Sequence, residues 1–525
     1  MPVKQTPANL TQMTKITPST AVQFVLALCI LGLGIAASIA LPPGPDILWR
    51  LHIGEAILAG KTLYREMIEV NPPLWFWAAL LAAFVAQITP LSGTLALVIF
   101  NSLGVVGAVF LFLHLARKTL DEGSARWATI AYLAGLNWIS IGDIGQREQS
   151  FLLASGLWVA LIAARANMRP ISLPIALMTG LICAYGFALK HYFILVPVVL
   201  EAWLLWQQKR TWRPWRPENL VLLGCACVYA GLVFLLAPDF LTRVLNLVNL
   251  TYYGFGPWNA LNPQERQLRL LAQCSFILLP ILAFVQAKER RPIVSALLLA
   301  SVTCCVIVVL QQKGWRYHLI AANGLSILVL SIICSNSQRS SLLARALPAL
   351  ALAALIWTAM VQPALARFKS QGQFIEPALK ALIANEPRES RIVVLSTAPE
   401  RTFYPLARDG RPFWSRHYSM WMLPALLTPS QIPHLEAKRQ VELNRVRHEY
   451  VADLMCNPPD LIIGEVGYYR NPQPKLFDAM AYLTGDLAMK DWLAAYYRAG
   501  AQSGPFPIWR LKDKRPDPQL CGFYP

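Results

Sequence analysis

The sequence predicts a mainly α fold: a polytopic membrane helical bundle of about eleven spans, followed by a C-terminal α/β domain. Three observations predict it. The 525-residue chain is 55% hydrophobic and only 14% charged, the balance of a chain that lives in a bilayer. Apolar runs recur near 21–41, 74–90, 93–116, 127–141, 149–164, 171–189, 192–206, 219–237, 268–287, 293–310, 317–334 and 345–362. Beyond 364 the composition turns to that of an ordinary globular domain.

Charge sets the topology. A formal charge of +18 on a soluble chain would suggest nucleic acid. Here the basic residues line alternate connections, and no nucleic-acid partner is expected. One set holds Arg117, Lys118 and Arg126; Arg165 and Arg169; Lys209, Arg210, Arg213 and Arg216; Lys288, Arg290 and Arg291; Arg339 and Arg345. Only Asp121, Glu122, Glu218 and Glu289 oppose them. Basic loops stay in the cytoplasm. The other set, 142–148, 190–191, 238–267, 311–316 and everything after about 363, then lies outside.

Parity settles the start of the chain. An inside tail at 1–20 requires that run 74–90 does not cross. That run follows Asn71-Pro72-Pro73, is short, and carries Trp75, Phe76 and Trp77, which suit the headgroup level. It is expected in the membrane plane, which puts segment 42–73 outside. Run 21–41 ends in A-S-I-A, like a signal-peptidase site, but its length suits an uncleaved span.

The spans carry almost no ionisable residues; His114 and Glu201 sit near cytoplasmic ends. A charge at mid-span costs roughly 2.5–3.5 kcal/mol, a cost that ion-coupled transporters accept. Its absence argues against ion-coupled transport. Eight of the ten cysteines lie in or beside apolar runs as small packing residues. Cys456 and Cys521 lie in the polar C-terminal part and can form one disulfide if that part is outside the cytoplasm.

The outside loops are short and heavily charged. Segment 42–73 contains Asp46, Arg50, His52, Glu55, Lys61, Arg65, Glu66 and Glu69. G-D-I-G-Q-R-E-Q at 142–149 holds Asp143, Arg147 and Glu148; 190–192 gives Lys190, His191 and Tyr192; Q-Q-K-G-W-R-Y-H at 311–318 gives Lys313, Arg316 and His318. Acids and bases from distant loops thus meet at one membrane face. Cations there neutralise a lipid-linked phosphate and stabilise it as a leaving group. A carboxylate takes the proton of an incoming hydroxyl. The combination suits glycosyl transfer from a polyprenyl-phosphate sugar, with Lys313 and Arg316 or His318 on the phosphate, and Trp315 or Tyr317 on the sugar or at the interface. No cofactor and no metal motif is read.

At these residues the chain resembles a known group. Asp46 after the first span, then G-E-A-I-L-A-G-K-T-L-Y-R-E and N-P-P-L, is similar to the first external loop of the GT-C superfamily of membrane glycosyltransferases. The likeness is to the branch of protein mannosyltransferases and the lipid A aminoarabinose transferase, and covers roughly residues 20–335. It implies a GT-C-like domain over 21–363, with a catalytic first loop at 42–73 and an in-plane helix at 74–90. It also implies a polyprenyl-phosphate sugar donor, a lipid, glycan or protein acceptor, and an inner-membrane location with a periplasmic domain at 364–525. Asp46 matches the loop-one catalytic base, Glu69 an acidic residue near the donor, and Asp143 or Glu148 the second acidic site. Arg147, Lys190, Lys313, Arg316 and His318 are the candidate donor-phosphate and substrate contacts. The chain departs from the pattern in having Asp46-Ile47 where members often have Asp-Glu, and in placing an arginine beside the second acid.

The same residues have structural readings. Asp46 and Asp143 each suit a helix N-cap, Glu148 suits pairing with Arg147, and Glu55 and Glu66 suit pairing with Lys61 or Arg65. In the C-terminal part R-I-V-V-L-S-T and D-L-I-I-G-E-V read as strands, and 377–385 and 441–455 as amphipathic helices. F-W-S-R-H-Y-S-M-W-M-L-P faces the membrane or the acceptor, and L-T-Y-Y-G-F-G-P-W-N is a lid or an aromatic belt. The competing readings are a flippase or transporter of lipid-linked sugars and a non-catalytic assembly subunit of the cell envelope.

Overall fold

The structure is a computed structural model that describes residues 18–252, 261–287, 291–335, 342–370, 375–413, 415–430, 432–470, 474–513 and 516. Every apolar run is helical. Among the described residues eight helices are long and apolar enough to cross a membrane: Thr20–Ala40, Gly93–Ala116, Arg147–Ala166, Pro217–Leu236, Pro263–Gln286, Pro292–Gln311, Arg316–Ser335 and Ala346–Ser370. The three other expected spans are shorter helices: Glu122–Ala134 prolonged through Gly135–Ile139, Leu173–Ala188, and His191–Ile194 leading into Leu195–Gln208. The chain is a multi-pass membrane protein.

Run 74–90 forms two pieces, Leu74–Trp77 and Leu80–Ile88. Together they rise about 22 Å, short of the roughly 30 Å hydrocarbon core.

The Arg147–Ala166 helix is the axis of the bundle. Small residues Ala154, Ser155, Gly156, Ala160, Ala163 and Ala164 let its neighbours close on it, and all are buried. A Cβ on Gly186 would stand 2.5 Å from that of Ala154, and one on Gly324 would stand 2.5 Å from Leu152 Cδ2. Both neighbouring helices depend on that missing atom for their approach. The helix begins with Arg147 and Glu148, so these two side chains are planted at the centre of one end of the bundle.

The two ends differ in charge. At the basic end Arg126 donates to Thr20 Oγ1 at 3.0 Å, which brings the start of the first span to that side. There Arg165 grips the buried Glu218 through two bonds of 3.0 and 2.9 Å, and Arg216 bridges Glu218 and Glu201. Two guanidinium groups offset the desolvation of one buried carboxylate. The opposite end carries the mixed-charge loops.

Beyond residue 370 the expected α/β domain is present. β1 (Ile392–Leu395) pairs parallel with β2 (Leu461–Gly464), and both are wholly buried. Helices Phe403–Arg408, Leu423–Leu426 and Pro433–Cys456 fill the crossover that a parallel pair requires. β3 (Val466–Arg470) and β4 (Pro474–Asp478) form a separate hairpin, while β5 (Tyr497–Ala499) and β6 (Ile508–Leu511) complete the order β1-β2-β6-β5. The domain is fastened to the loops at the mixed-charge end of the bundle. Ile68 N donates to Arg416 O at 2.7 Å, and Glu449 takes both Arg243, at 2.5 Å, and His417, at 2.8 Å. Cys456 is disulfide-bonded; Cys521, its expected partner, lies outside the described residues, as do 253–260 of the aromatic external loop.

Candidate active site

The first loop enters the helix Pro45–Leu58 through Gly44, its N-cap, with Pro45 preset for the first helical position. Asp46 therefore sits inside the first turn and does not cap. Its carboxylate instead accepts from Gln146 Nε2 at 3.2 Å. Gln146 in turn is the N-cap of the Arg147–Ala166 helix, a role the sequence also allowed to Asp143. Gly44 N donates to Gly142 O at 3.2 Å, which stitches the first and second loops together. Asp143 lies against this stitch, its Oδ1 3.1 Å from where a Gly44 Cβ would stand.

Arg367, at the outer end of the last span, secures the junction. It donates to Pro42 O at 3.3 Å and to Gly142 O at 3.1 Å. Gly142 has φ +78°, and a Cβ there would run into the Arg367 guanidinium. The position is closed to other residues on both counts. Arg50 performs a similar service beneath, donating to Trp75 O at 2.8 Å and Gly145 O at 2.9 Å.

The second acid and the basic loops form one network. Glu148 pairs with Lys190 at 2.5 Å, and not with Arg147 as the local spacing allowed. Lys190 also donates to Gln311 Oε1 at 3.0 Å and lies 3.4 Å from His318 Nε2. Arg147 donates to Asn71 Oδ1 and lies 4.6 Å over the Trp75 ring. Glu69 is committed to the loop: it accepts from Trp49 Nε1, Val70 N, Asn71 N and Asn71 Nδ2 at 2.7–3.0 Å. It holds Asn71 toward Arg147. Lys313 is buried, donates to Tyr252 O, and stands 4.0 Å over the Tyr252 ring. Arg316 is exposed beside the cluster, near enough to Asp143 to act on its charge.

Burial shifts the charges toward neutrality. Asp143 is pushed up to about 6 by desolvation, which outweighs the pull of Arg367 and is reinforced by Asp46 and Glu148. Asp46 is raised by desolvation against the opposing charge of Arg147 and the Gln146 hydrogen bond. Lys190 is lowered to about 8 by desolvation, with Glu148 resisting. Lys313 is lowered to about 6, by desolvation first and then by Arg266 and Lys190. Arg147 Nε, Glu148 Oε2, His318 Nδ1 and Tyr418 Oη are buried without a hydrogen bond. Such groups need a reason, and a site awaiting a ligand supplies one. Among the described residues no three His, Cys, Asp or Glu side chains are grouped so as to hold a metal ion.

The structure thus brings Asp46, Asp143, Glu148, Arg147, Lys190 and His318 together, with Lys313 and Arg316 on the adjoining loop. His52 and Glu55 stay on the Pro45–Leu58 helix away from it, His52 buried among Trp49, Phe403 and Phe413. Glu66 accepts from Thr62 N, and Arg65 pairs with Asp239. Sequence reading missed Gln146, Asn71, Gln311, Arg367 and Tyr418. Gln146 and Gln311 stood inside quoted motifs, and Arg367 is the first cation after the apolar run 345–362. Tyr418 stood inside F-W-S-R-H-Y-S-M-W-M-L-P, the stretch expected to face the membrane or the acceptor.

No protein-family model matches the chain, and no curated protein matches it in sequence. Solved structures do. ArnT from Cupriavidus metallidurans bound to undecaprenyl phosphate aligns over 95% of this chain and 99% of its own, at 13% identity and a TM-score of 0.51. The apo state of the same protein aligns over 94% and 98%, also at 13% and 0.51. The Archaeoglobus fulgidus oligosaccharyltransferase in its apo form covers 93% of this chain and 75% of its own at 14% identity, but its TM-score of 0.39 is too low to bear on the fold. The ArnT likeness spans membrane bundle and C-terminal domain alike. This chain thus shares the fold of ArnT, a mainly helical membrane bundle followed by a C-terminal domain, as the first-loop pattern led one to expect.

Proposed function

We propose that this chain is an integral-membrane glycosyltransferase of the GT-C type. It moves a sugar from a polyprenyl-phosphate donor to a hydroxyl of an extracytoplasmic lipid, glycan or protein. One observation carries the reading. Three carboxylates, Asp46, Asp143 and Glu148, meet Arg147, Lys190, Lys313 and Arg316 at one end of a bundle whose long spans keep their few ionisable residues toward their ends. The fold it shares with ArnT, which was crystallised bound to undecaprenyl phosphate, supports the lipid-linked donor.

In this reading Lys190, Lys313 and Arg316 hold the donor phosphate and stabilise its charge as the sugar–oxygen bond breaks. Asp46 accepts the proton of the acceptor hydroxyl while that oxygen bonds to the sugar carbon. Gln146 orients Asp46, Glu148 keeps Lys190 in place, and Arg367 and Gly142 fix the loop that carries Asp143. The cell inner membrane, with the C-terminal domain on its periplasmic side, is the setting that the alternating loop charge supports.

The test is a panel of radiolabelled polyprenyl-phosphate sugars offered to the purified protein in detergent, with an extract of envelope lipids as acceptor. The wild type consumes one donor. Asp46→Asn loses about 10²–10⁴-fold in rate, the worth of a positioned base, and still binds donor. Consumption of no donor, or an Asp46→Asn variant of wild-type rate, rejects the reading and moves the flippase and assembly readings ahead.

A further inference from the structure

The Pro45–Leu58 helix presents Asp46 and Trp49 one turn apart, hence on one side. Trp49 is buried, its Nε1 held by Glu69 Oε2 at 2.8 Å. Tyr418, from the C-terminal domain, lies flat on Trp49, with ring centroids 4.8 Å apart and planes 17° apart. Phe403 closes the side of the stack at 5.8 Å from Tyr418.

The segment that delivers Tyr418 is clamped at every step. Ser415 Oγ and Arg416 N donate to Asp453 Oδ2, at 3.3 and 2.9 Å. Ile68 N reaches Arg416 O at 2.7 Å, His417 Nε2 meets Glu449 at 2.8 Å, and Met420 N donates to Ser396 O at 2.8 Å. With its ring so placed and 7% exposed, Tyr418 still leaves its hydroxyl without a hydrogen bond. Buried tyrosines ordinarily find a partner. Its polar surroundings are the charges of Asp46, Glu400 and Glu69 and the hydroxyl of Tyr317. The oxygens of Glu69 are already taken. The Tyr418 hydroxyl is a spare donor within reach of the Asp46 charge.

Asp46 stands between two sets of groups. Arg147, Glu148 and Lys190 act on its charge from the bundle, and its own charge is felt by Tyr418, which the C-terminal domain stacks on Trp49 one turn away. We propose that Tyr418 is an acceptor-binding residue, whose Oη hydrogen-bonds the hydroxyl-bearing molecule that Asp46 deprotonates. This rests on the transferase reading above. It gives the C-terminal domain a direct part in choosing the acceptor.

The test compares the full-length protein with Tyr418→Phe, which keeps the stack and removes only the hydroxyl. Three quantities are read: the thermal midpoint, the Kd of undecaprenyl phosphate, and the concentration of envelope-lipid extract that half-saturates transfer. The expected result is an unchanged midpoint, an unchanged Kd, and a half-saturating concentration raised roughly tenfold, the worth of one hydrogen bond. An unchanged half-saturating concentration overturns the inference and leaves the transferase standing. A lowered midpoint, or a Kd that shifts together with the acceptor, also overturns it, because the hydroxyl then serves the protein itself. Absence of transfer by the wild type with every donor removes the transferase reading, and this inference with it.

Discussion

Lys313 makes donor binding depend on pH in a narrow window. Its ammonium is buried against Tyr252, and desolvation, Arg266 and Lys190 bring it down to about 6. At pH 7 roughly one molecule in ten is then charged in the ligand-free protein. A donor phosphate brings a negative charge to the ammonium and raises the group again, so binding takes up a proton. The sign follows. Affinity is full below pH 6, where the lysine is already charged, and falls about tenfold for each pH unit above it. Between pH 6 and 8 the Kd rises about fiftyfold, because half of the lysine is already uncharged at pH 6. Lys190, at about 8, adds its own dependence only above that window. The ligand for the assay is a sugar phosphodiester of the lipid, which does not titrate here. Equilibrium binding in detergent at pH 6, 7 and 8 gives the slope. Lys313→Arg flattens it, because a guanidinium stays charged; Lys313→Met binds weakly at every pH. A wild-type Kd that changes less than threefold from pH 6 to 8 refutes the role of Lys313.

Two further outcomes are expected. Turnover falls as pH drops through about 6, where Asp143 protonates; Arg367→Gln removes a charge that holds this pKa down and moves the acid limb upward, and an unmoved limb disconnects the two residues. Glu148→Gln strands the Lys190 ammonium in the bundle, which costs about 3–5 kcal/mol of stability in chemical or thermal unfolding. Glu148→Gln with Lys190→Met recovers most of that loss, and failure to recover shows that the pair is not the unit that matters.

Much of this molecule is determined by short-range physics and is therefore legible in the chain. A span is a local run of apolar residues, a buried strand such as Ile392–Leu395 is a local run of β-branched ones, and loop charge fixes which end is which. The first loop could be matched to a family pattern because Asp46, the G-E-A-I-L-A-G-K stretch and the prolines lie within thirty residues of one another. The loops that carry Asp143, Lys190 and Lys313 stood out because each is short and charged where a hairpin needs neither.

The partners within the site were decided by tertiary structure alone. Glu148 sits next to Arg147 in sequence yet pairs with Lys190, because the helix start turns it toward the neighbouring hairpin. Arg367 meets Gly142 across 225 residues, and Gln146 meets Asp46 across 100. Glu69 spends its oxygens on Trp49 and its own loop, which no spacing rule foretells. Tyr418 comes from a different domain and stacks on Trp49, one turn along the helix from Asp46. By itself the sequence determined the membrane bundle and the short charged loops at one end of it, since hydropathy and charge act residue by residue. Only the packed bundle decided which charges neutralise each other and which polar atoms are left free, since burial and pairing depend on every helix at once.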